Sequence, residues 1–527
     1  MLFTSLGFVI FVAVLLVAYY LVPKKIQWML LLAASYFFYS FSGIENFAFI
    51  IATTLSCFFV ARAMEKKRVK EDEYVALNKE SMDKESRKAY RAAEKKKRRR
   101  LLIAGLVFNF GILAVFKYTA FALGNINSLL DLFGIKEMSI PSLLLPMGIS
   151  FFIFQSTGYL IDVYRGKTYA EKNVAKLALF VSFFPQMVQG PISRHADLAP
   201  QLCVPRQFDA RNVKFGIQRI LWGYFKKLVI ADRIFVAIRF LTNNTTEYTG
   251  VYTFVLIILY SIEIYADFTG GIDITIGIAE AMGIKVTENF KRPFSSTSTK
   301  EYWNRWHITM GSWFTDYVFY PLSVSKPMMK LSKASRKRLG AVVGKRVPVY
   351  LATAITWFLT GLWHGAAWNF IVWGMLNCLV ILVSQEFEPL YRRFRGRFPK
   401  LTASYGYHCF AVTRTFLLMG LIRSLDCYAN VGRTFRMWGS MFTNFNWGSC
   451  FSGDILNIGL DIKDYIIIAV AVALIFTVTK LSSKRDLREW LLGKTVLSWA
   501  LSCAMVIVIL LFGVYGTGYI PMIYGQV

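Results

Sequence analysis

Charge is scarce in this 527-residue chain. Asp, Glu, Lys and Arg make up 18% of it, against about 25% in ordinary soluble domains. Acid is the scarcer sign, with 32 acidic residues against 61 basic ones and a formal net charge of +29. With 55% apolar residues and a mean hydropathy of +0.44, this excludes a soluble enzyme and a disordered chain. Cysteine is sparse too. Cys57, Cys203, Cys378, Cys409, Cys427, Cys450 and Cys503 show no CxxC spacing and no Cys/His cluster, which excludes a disulfide scaffold and argues against zinc and redox chemistry. Only Cys427 and Cys450 fall in one candidate outer loop; a disulfide there is the one pairing left open, with free thiols the expected state. The chain lacks GxGxxG and Walker loops, a GxSxG elbow, and HExxH or EF-hand patterns. Nucleotide binding, serine nucleophiles and resident metals are therefore not expected. Alternating ten-residue segments of the β-barrel kind are also missing, as are fixed-period repeats and low-complexity tracts.

What the chain does have is apolar runs of about 17–25 residues, the length that crosses a bilayer. Lipid offers no partner for backbone N–H and C=O groups, so such runs must be helical. Aromatics reach 16%, with 45 Phe, 27 Tyr and 13 Trp. The fold class expected is an all-α polytopic membrane protein of eleven or twelve transmembrane helices plus re-entrant segments. One membrane domain over 1–527 is the economical reading, with a basic insert at 62–100 and an outer loop at 425–462. Residues 2–22 form a full span with no cleavage site, so they are expected to be retained.

The positive charge is a topology signal rather than a sign of nucleic acid. Residues 62–100 hold 16 Lys/Arg against 8 acidic residues, and 323–347 hold 8 with no acid. Both should be cytosolic, near anionic headgroups. Spans are expected near 2–22, 26–43, 46–61, 101–123, 143–162, 251–268, 348–365, 367–384, 406–422, 464–480 and 495–513. Residues 125–141 read as an outer loop. The stretch 177–193 carries Pro185, Gly190 and Pro191 between basic flanks and reads as re-entrant, and 302–322 reads similarly. Segment 213–241 mixes Lys and Arg with apolar residues and should begin at the interface.

Four histidines, His195, His307, His364 and His408, are few enough to weigh singly. His364 lies at the junction of two spans in Gly361-Leu362-Trp363-His364-Gly365-Ala366-Ala367-Trp368, and an ionisable residue at membrane depth is a functional candidate by default. Gly361, Gly365, Ala366 and Ala367 would let a substrate or another backbone approach, with Trp363 and Trp368 as walls. A neutral imidazole suits a general base; the alternative is a structural histidine hydrogen-bonded between helices. His307 lies in Trp303-Asn304-Arg305-Trp306-His307. On a helix, Asn304 would share its face and orient the ring, with Trp303, Trp306 and Trp313 as an aromatic belt. Interfacial anchoring competes evenly with that reading. His195 reads as a solvated loop histidine, and His408 as structural. Asp267 and Asp273 sit at a span's end, where they could pair with Arg292, with Arg305 or with each other. Gly270-Gly271 beside them suggests a break in the helix.

These segments carry a resemblance. Phe116-Lys117-Tyr118, Leu145-Pro146-Met147-Gly148, Tyr159-Leu160-Ile161-Asp162-Val163-Tyr164-Arg165-Gly166 and Gln189-Gly190-Pro191-Ile192-Ser193-Arg194 come first. Asp197-Leu198-Ala199-Pro200-Gln201-Leu202, Lys226-Lys227 and Ala231-Asp232-Arg233 follow. Then come Tyr265-Ala266-Asp267-Phe268-Thr269-Gly270, Glu288-Asn289-Phe290, Trp303-Asn304-Arg305-Trp306-His307 and Gly361-Leu362-Trp363-His364-Gly365. In this order the sequence resembles the membrane-bound O-acyltransferase (MBOAT) family. Its branch acting on bacterial cell-wall polymers, the alginate O-acetylation membrane subunit among them, is the nearest in appearance.

The resemblance implies catalytic residues His364 and His307. Asn304, Trp303, Trp306, Trp363 and Asp267 would line or position a central tunnel, with no metal and no bound cofactor. It implies a cytosolic thioester donor, acetyl-CoA or alternatively an acyl-carrier protein thioester. It also implies a polysaccharide acceptor outside, an extracytoplasmic SGNH-type transferase partner, and a multi-pass place in the bacterial inner membrane. D-alanyl transfer to teichoic acid is the sibling reading. A transporter or flippase is the reading from another class, and it would require paired half-repeats that the sequence does not show.

Overall fold

A computed structural model describes residues 1–515. Among them the secondary structure is helical throughout, with no strand. Among the described residues, six helices are long and apolar enough to cross a membrane by length and composition: Ile44–Leu77, Lys84–Leu132, Val251–Ala281, Trp368–Glu386, Ile462–Ser482 and Thr495–Phe512. The other expected spans fall on helices that are shorter or more polar, from 14 residues at Gln27–Ser40 to 19 at Arg346–His364. The chain divides into two compact units, one of Met1–Gly216 with Thr275–Thr287, the other of Ile217–Ile274 with the chain from Glu288 onward.

The first unit contains α1 (Leu6–Leu21), α2 (Gln27–Ser40), α3 (Phe47–Leu77), α4 (Lys84–Leu132), α5 (Ile149–Arg165), α6 (Val174–Ser182) and α7 (His195–Cys203). The basic insert is a helical hairpin. α3 and α4 run on beyond their apolar parts and turn at residues 78–83, where the Asp83 side chain accepts from Ser86 N and starts α4. Arg98 pairs with Glu71 at 2.8 Å, and Tyr74 packs on Tyr90. α4 continues to Leu132, so much of the loop expected at 125–141 is helix. The helix is already nucleated by the apolar run, and elongation costs little once a helix exists; Asn127 on this extension is buried and its side chain bonds the backbone of Met138. In 177–193 the backbone is broken, as its prolines and glycine require: α6 ends at Ser182, and a single turn follows at Phe184–Met187. Every residue of that stretch is buried, which is the condition for tolerating irregular backbone.

The second unit receives the end of α8 (Ala210–Tyr224), a wide π-type turn at Phe225–Ala231, α9 (Asp232–Asn243) and most of α10 (Val251–Ala281). After Glu288 come α11 (Thr299–Trp303), α12 (Ile308–Phe314), α13 (Lys326–Gly344), α14 (Arg346–His364), α15 (Trp368–Glu386), α16 (Tyr405–Arg423), α17 (Ile462–Ser482) and α18 (Thr495–Phe512). The expected break at Gly270-Gly271 does not occur; α10 passes straight through. A Cβ on Gly270 would stand 2.9 Å from the carbonyl oxygen of Gly223, and one on Gly223 only 2.6 Å from that of Gly270. These glycines let two helices touch backbone to backbone. All seven cysteines are free thiols, Cys427 and Cys450 included.

Candidate active site

The segment carrying His307 is short and bent. α11 ends at Trp303, a turn follows, and α12 begins at Ile308. His307 sits at that corner with φ +46°, in the left-handed region, which is uncommon for any residue with a Cβ and several-fold enriched for His, Asn and Asp. Such conformations persist only where the surroundings over-determine them. Here a second strand of chain does so. Ile308 N–H donates to Asn289 O at 2.9 Å, and Lys291 N–H to Arg305 O at 2.9 Å. Asn289 Oδ1 lies 3.2 Å from His307 Nδ1 and also accepts from Thr309 N and Thr309 Oγ1, at 3.0 and 2.9 Å. Asn304, expected to orient the ring, is exposed at the end of α11. The helical spacing that would have aligned it with His307 does not exist, because the helix stops between them.

His307 is fully buried. Phe268 meets it edge-on at 4.9 Å and the Trp363 ring at 6.0 Å. Trp306 packs against Phe290 at 5.0 Å and stacks on Tyr302 at 5.6 Å. Trp303 donates to Asn377 Oδ1 at 3.2 Å and lies edge-on to Trp357 and Trp373.

His364 closes α14 and is 4% exposed. Its ring lies 5.0 Å from Trp363 and 4.7 Å from Trp373. Trp363 therefore contacts both imidazoles, although 57 positions separate His307 from His364 in sequence. The glycines around His364 serve the seam between α14 and α15. A Cβ on Gly361 would come within 2.4 Å of Phe370 O, one on Gly374 within 2.4 Å of Trp357 O, and one on Gly365 within 2.1 Å of the Phe370 ring. Close backbone approach accounts for Gly361 and Gly374, and the Phe370 ring lying over it accounts for Gly365. Trp368, expected as a wall, is exposed.

Asp267 pairs with a lysine. It binds Lys227 at 2.6 Å, which also meets Asp232 at 2.8 Å, all three deeply buried. Asp273 holds Lys226 at 2.5 Å and Arg219 at 2.9 Å. Arg305 is taken by Glu301 at 2.7 Å. The two lysines lie on the π-type turn, whose wider register places them consecutively against the acidic face of α10. Asp267 thus anchors the helix, while its neighbour Phe268 faces His307.

Sequence reasoning did not place three residues here: Asn289, seen only as part of a motif, Trp373 and Arg423. The Arg423 guanidinium lies 5.3 Å from the Trp373 centroid and pairs with Asp426 at 2.9 Å. A buried arginine at the end of an apolar run was the available signal. His195 corrects the opposite error. It is buried in the first unit between Tyr159 and Phe180, at 4.5 and 4.9 Å, rather than solvated, and burial lowers its pKa to about 4. His408 is exposed on α16.

With this geometry established, the chain can be set beside known proteins. The membrane-bound O-acyltransferase family matches residues 172–336 and 337–425. The chain is similar to a probable alginate O-acetylase of Pseudomonas syringae pv. tomato, 29% identical over 85% of this chain and 76% of that protein. It is similar to a peptidoglycan O-acetyltransferase of Helicobacter pylori, 28% identical over 73% and 68%. A teichoic acid D-alanyltransferase of Bacillus subtilis is 27% identical over 47% of this chain and 61% of its own length.

Proposed function

Because the chain belongs to the membrane-bound O-acyltransferase family, we propose that its reaction centre is the aromatic cluster holding His307 and His364. The protein is a multi-pass membrane acyltransferase of cell-envelope polymers. The observation that carries the site is the meeting of both imidazoles on Trp363, with both rings buried.

Transfer to a hydroxyl requires that an oxygen attack the thioester carbonyl, that the C–S bond break, and that the hydroxyl proton end on the departing sulfur. His364 is the base that takes that proton and returns it to the thiolate. His307 positions the substrate. The surrounding Trp and Phe rings exclude water, which would otherwise hydrolyse the thioester. Acetyl is the proposed acyl group and acetyl-CoA the donor, because the O-acetylating relatives match far more of this chain than the D-alanylating one. The first of those relatives acts on alginate by name and the second on peptidoglycan, so a polysaccharide outside the cytoplasm is the proposed acceptor. An SGNH-type enzyme is the proposed relay, and the bacterial cytoplasmic membrane the proposed location. The basic segments 62–100 and 323–347 then face the cytosol, next to the donor.

The test is complementation of a strain lacking the native copy, with ester content of the envelope polymer as readout. His364→Ala should abolish acylation while the protein stays at normal level in the membrane. Wild-type acylation by that variant ends the reading. Cysteine labelling of intact cells checks the orientation: Ser81→Cys and Ser332→Cys should stay unlabelled by an impermeant reagent.

A further inference from the structure

The hydrogen bonds around Asn289 settle more than a contact. Amide oxygen and nitrogen are normally interchangeable by eye, but one partner here has a fixed role. The backbone N–H of Thr309 can only donate, and it lies 3.0 Å from the Asn289 atom in question. That atom must be the oxygen. An amide oxygen only accepts, so His307 Nδ1, 3.2 Å from the same atom, must bring the hydrogen. In a neutral imidazole, a hydrogen on Nδ1 leaves the lone pair on Nε2.

The geometry points to Asn289 as a positioning residue that holds His307 in the Nδ1–H tautomer, so that Nε2 faces the reaction centre as a hydrogen-bond acceptor. This rests on the reading of His307 as part of that centre. A substrate group that meets Nε2 must then bring an O–H or N–H, and it cannot be the acyl oxygen. Asn289 is itself held firmly. It is fully buried, and its carbonyl accepts Ile308 N–H. The adjacent Glu288 is gripped by two parallel bonds from Arg219, at 2.6 and 2.7 Å, and Arg219 in turn binds Asp273. An imidazole on left-handed backbone, fastened through Nδ1, has little freedom to flip and exchange its two nitrogens.

Four histidines make the test practical. The full-length protein, labelled with nitrogen-15 histidine in lipid nanodiscs, gives four ring systems, and His307→Gln identifies one of them by loss. At neutral pH, His307 should show a protonated Nδ1 and a bare Nε2. Asn289→Asp keeps an oxygen at the contact and should keep that pattern. Asn289→Ala should mix the tautomers and lower kcat/KM by about 10- to 100-fold, less than the loss of a full acid–base group. His307→Gln, which can place an acceptor near the Nε2 position, should retain more transfer than His307→Asn, which reproduces only the Nδ1 side. A wild-type ring protonated on Nε2 overturns the proposal even if Asn289→Ala does not fold, and so does an unchanged tautomer in a folded Asn289→Ala. If the tautomer is as stated but both His307 variants acylate at the wild-type rate, the presentation of Nε2 to substrate is overturned together with the placement of His307 in the reaction centre.

Discussion

The two histidines of the proposed site stand on different kinds of backbone. His307 stands on a loop corner with strained backbone, fixed through hydrogen bonds to a second strand of chain. His364 stands at the end of a 19-residue helix, placed by the seam of α14 on α15 and by the rings of Trp363 and Trp373. A hydrogen-bonded corner defines which nitrogen carries the proton. A ring at a helix end, flanked by two indoles, moves with the helix that carries it. That contrast matches the proposed division of labour, orientation by His307 and proton transfer by His364.

The sharpest way to break the comparison is to exchange each ring for glutamine. His364→Gln should cost about 100- to 10,000-fold in initial rate, the range of a general acid–base group. His307→Gln should cost about tenfold or somewhat more, since a positioning contact contributes less than that range. Rates of the purified variants with labelled donor and a surrogate acceptor measure both. If the two are equally inactive and equally folded, the histidines act as one unit.

Next in size is the support beneath Phe268. Asp267→Ala leaves Lys227 buried with half its counter-charge. Breaking a buried ion pair from one side costs about 3–5 kcal/mol. Folded yield in detergent should drop well below that of His307→Gln. A normal yield would show that α10 is not anchored through Lys227.

Gly361→Ala tests the His364 side. The added methyl would stand 2.4 Å from Phe370 O, so α14 and α15 must part. Overpacking of this kind costs about 1–3 kcal/mol. The expected signature is a lowered melting temperature together with a fall in kcat, because the seam sets the position of His364. A loss of stability with kcat untouched would detach the seam from the chemistry.

The smallest effect is expected at His408. Its ring is exposed, so His408→Ala should leave stability within about 0.5 kcal/mol of wild type, as surface changes usually do, and acylation should stay at its wild-type rate.

Much of this was legible in the chain. Apolar length required helices, and the broken backbone at 177–193 followed from Pro185, Gly190 and Pro191 in a short apolar run. His364 stood out because an ionisable group within apolar sequence is costly. Local patterning failed wherever the partner was distant in sequence. Asn304 was read as the partner of His307 because spacing along a helix is visible, whereas the contact with Asn289, 18 positions away, is not. Gly270-Gly271 was read as a break, since the same glycine that frees a backbone also lets another one approach, and only the neighbour decides between them. His195 was read as solvated because its segment looks like a loop, yet the Tyr159 and Phe180 rings enclose it.

The sequence by itself determined the solvent, the helices and the four histidines. Hydropathy and hydrogen-bond satisfaction are properties of single segments, and each run carries them wherever it lies. The tertiary structure alone decided that His307 and His364 share one tryptophan, that Asp267 belongs to a lysine, and that Asn289 fixes a ring. Those are meetings of side chains from segments far apart in the chain, and their distances are set by how the segments pack, which no single segment encodes.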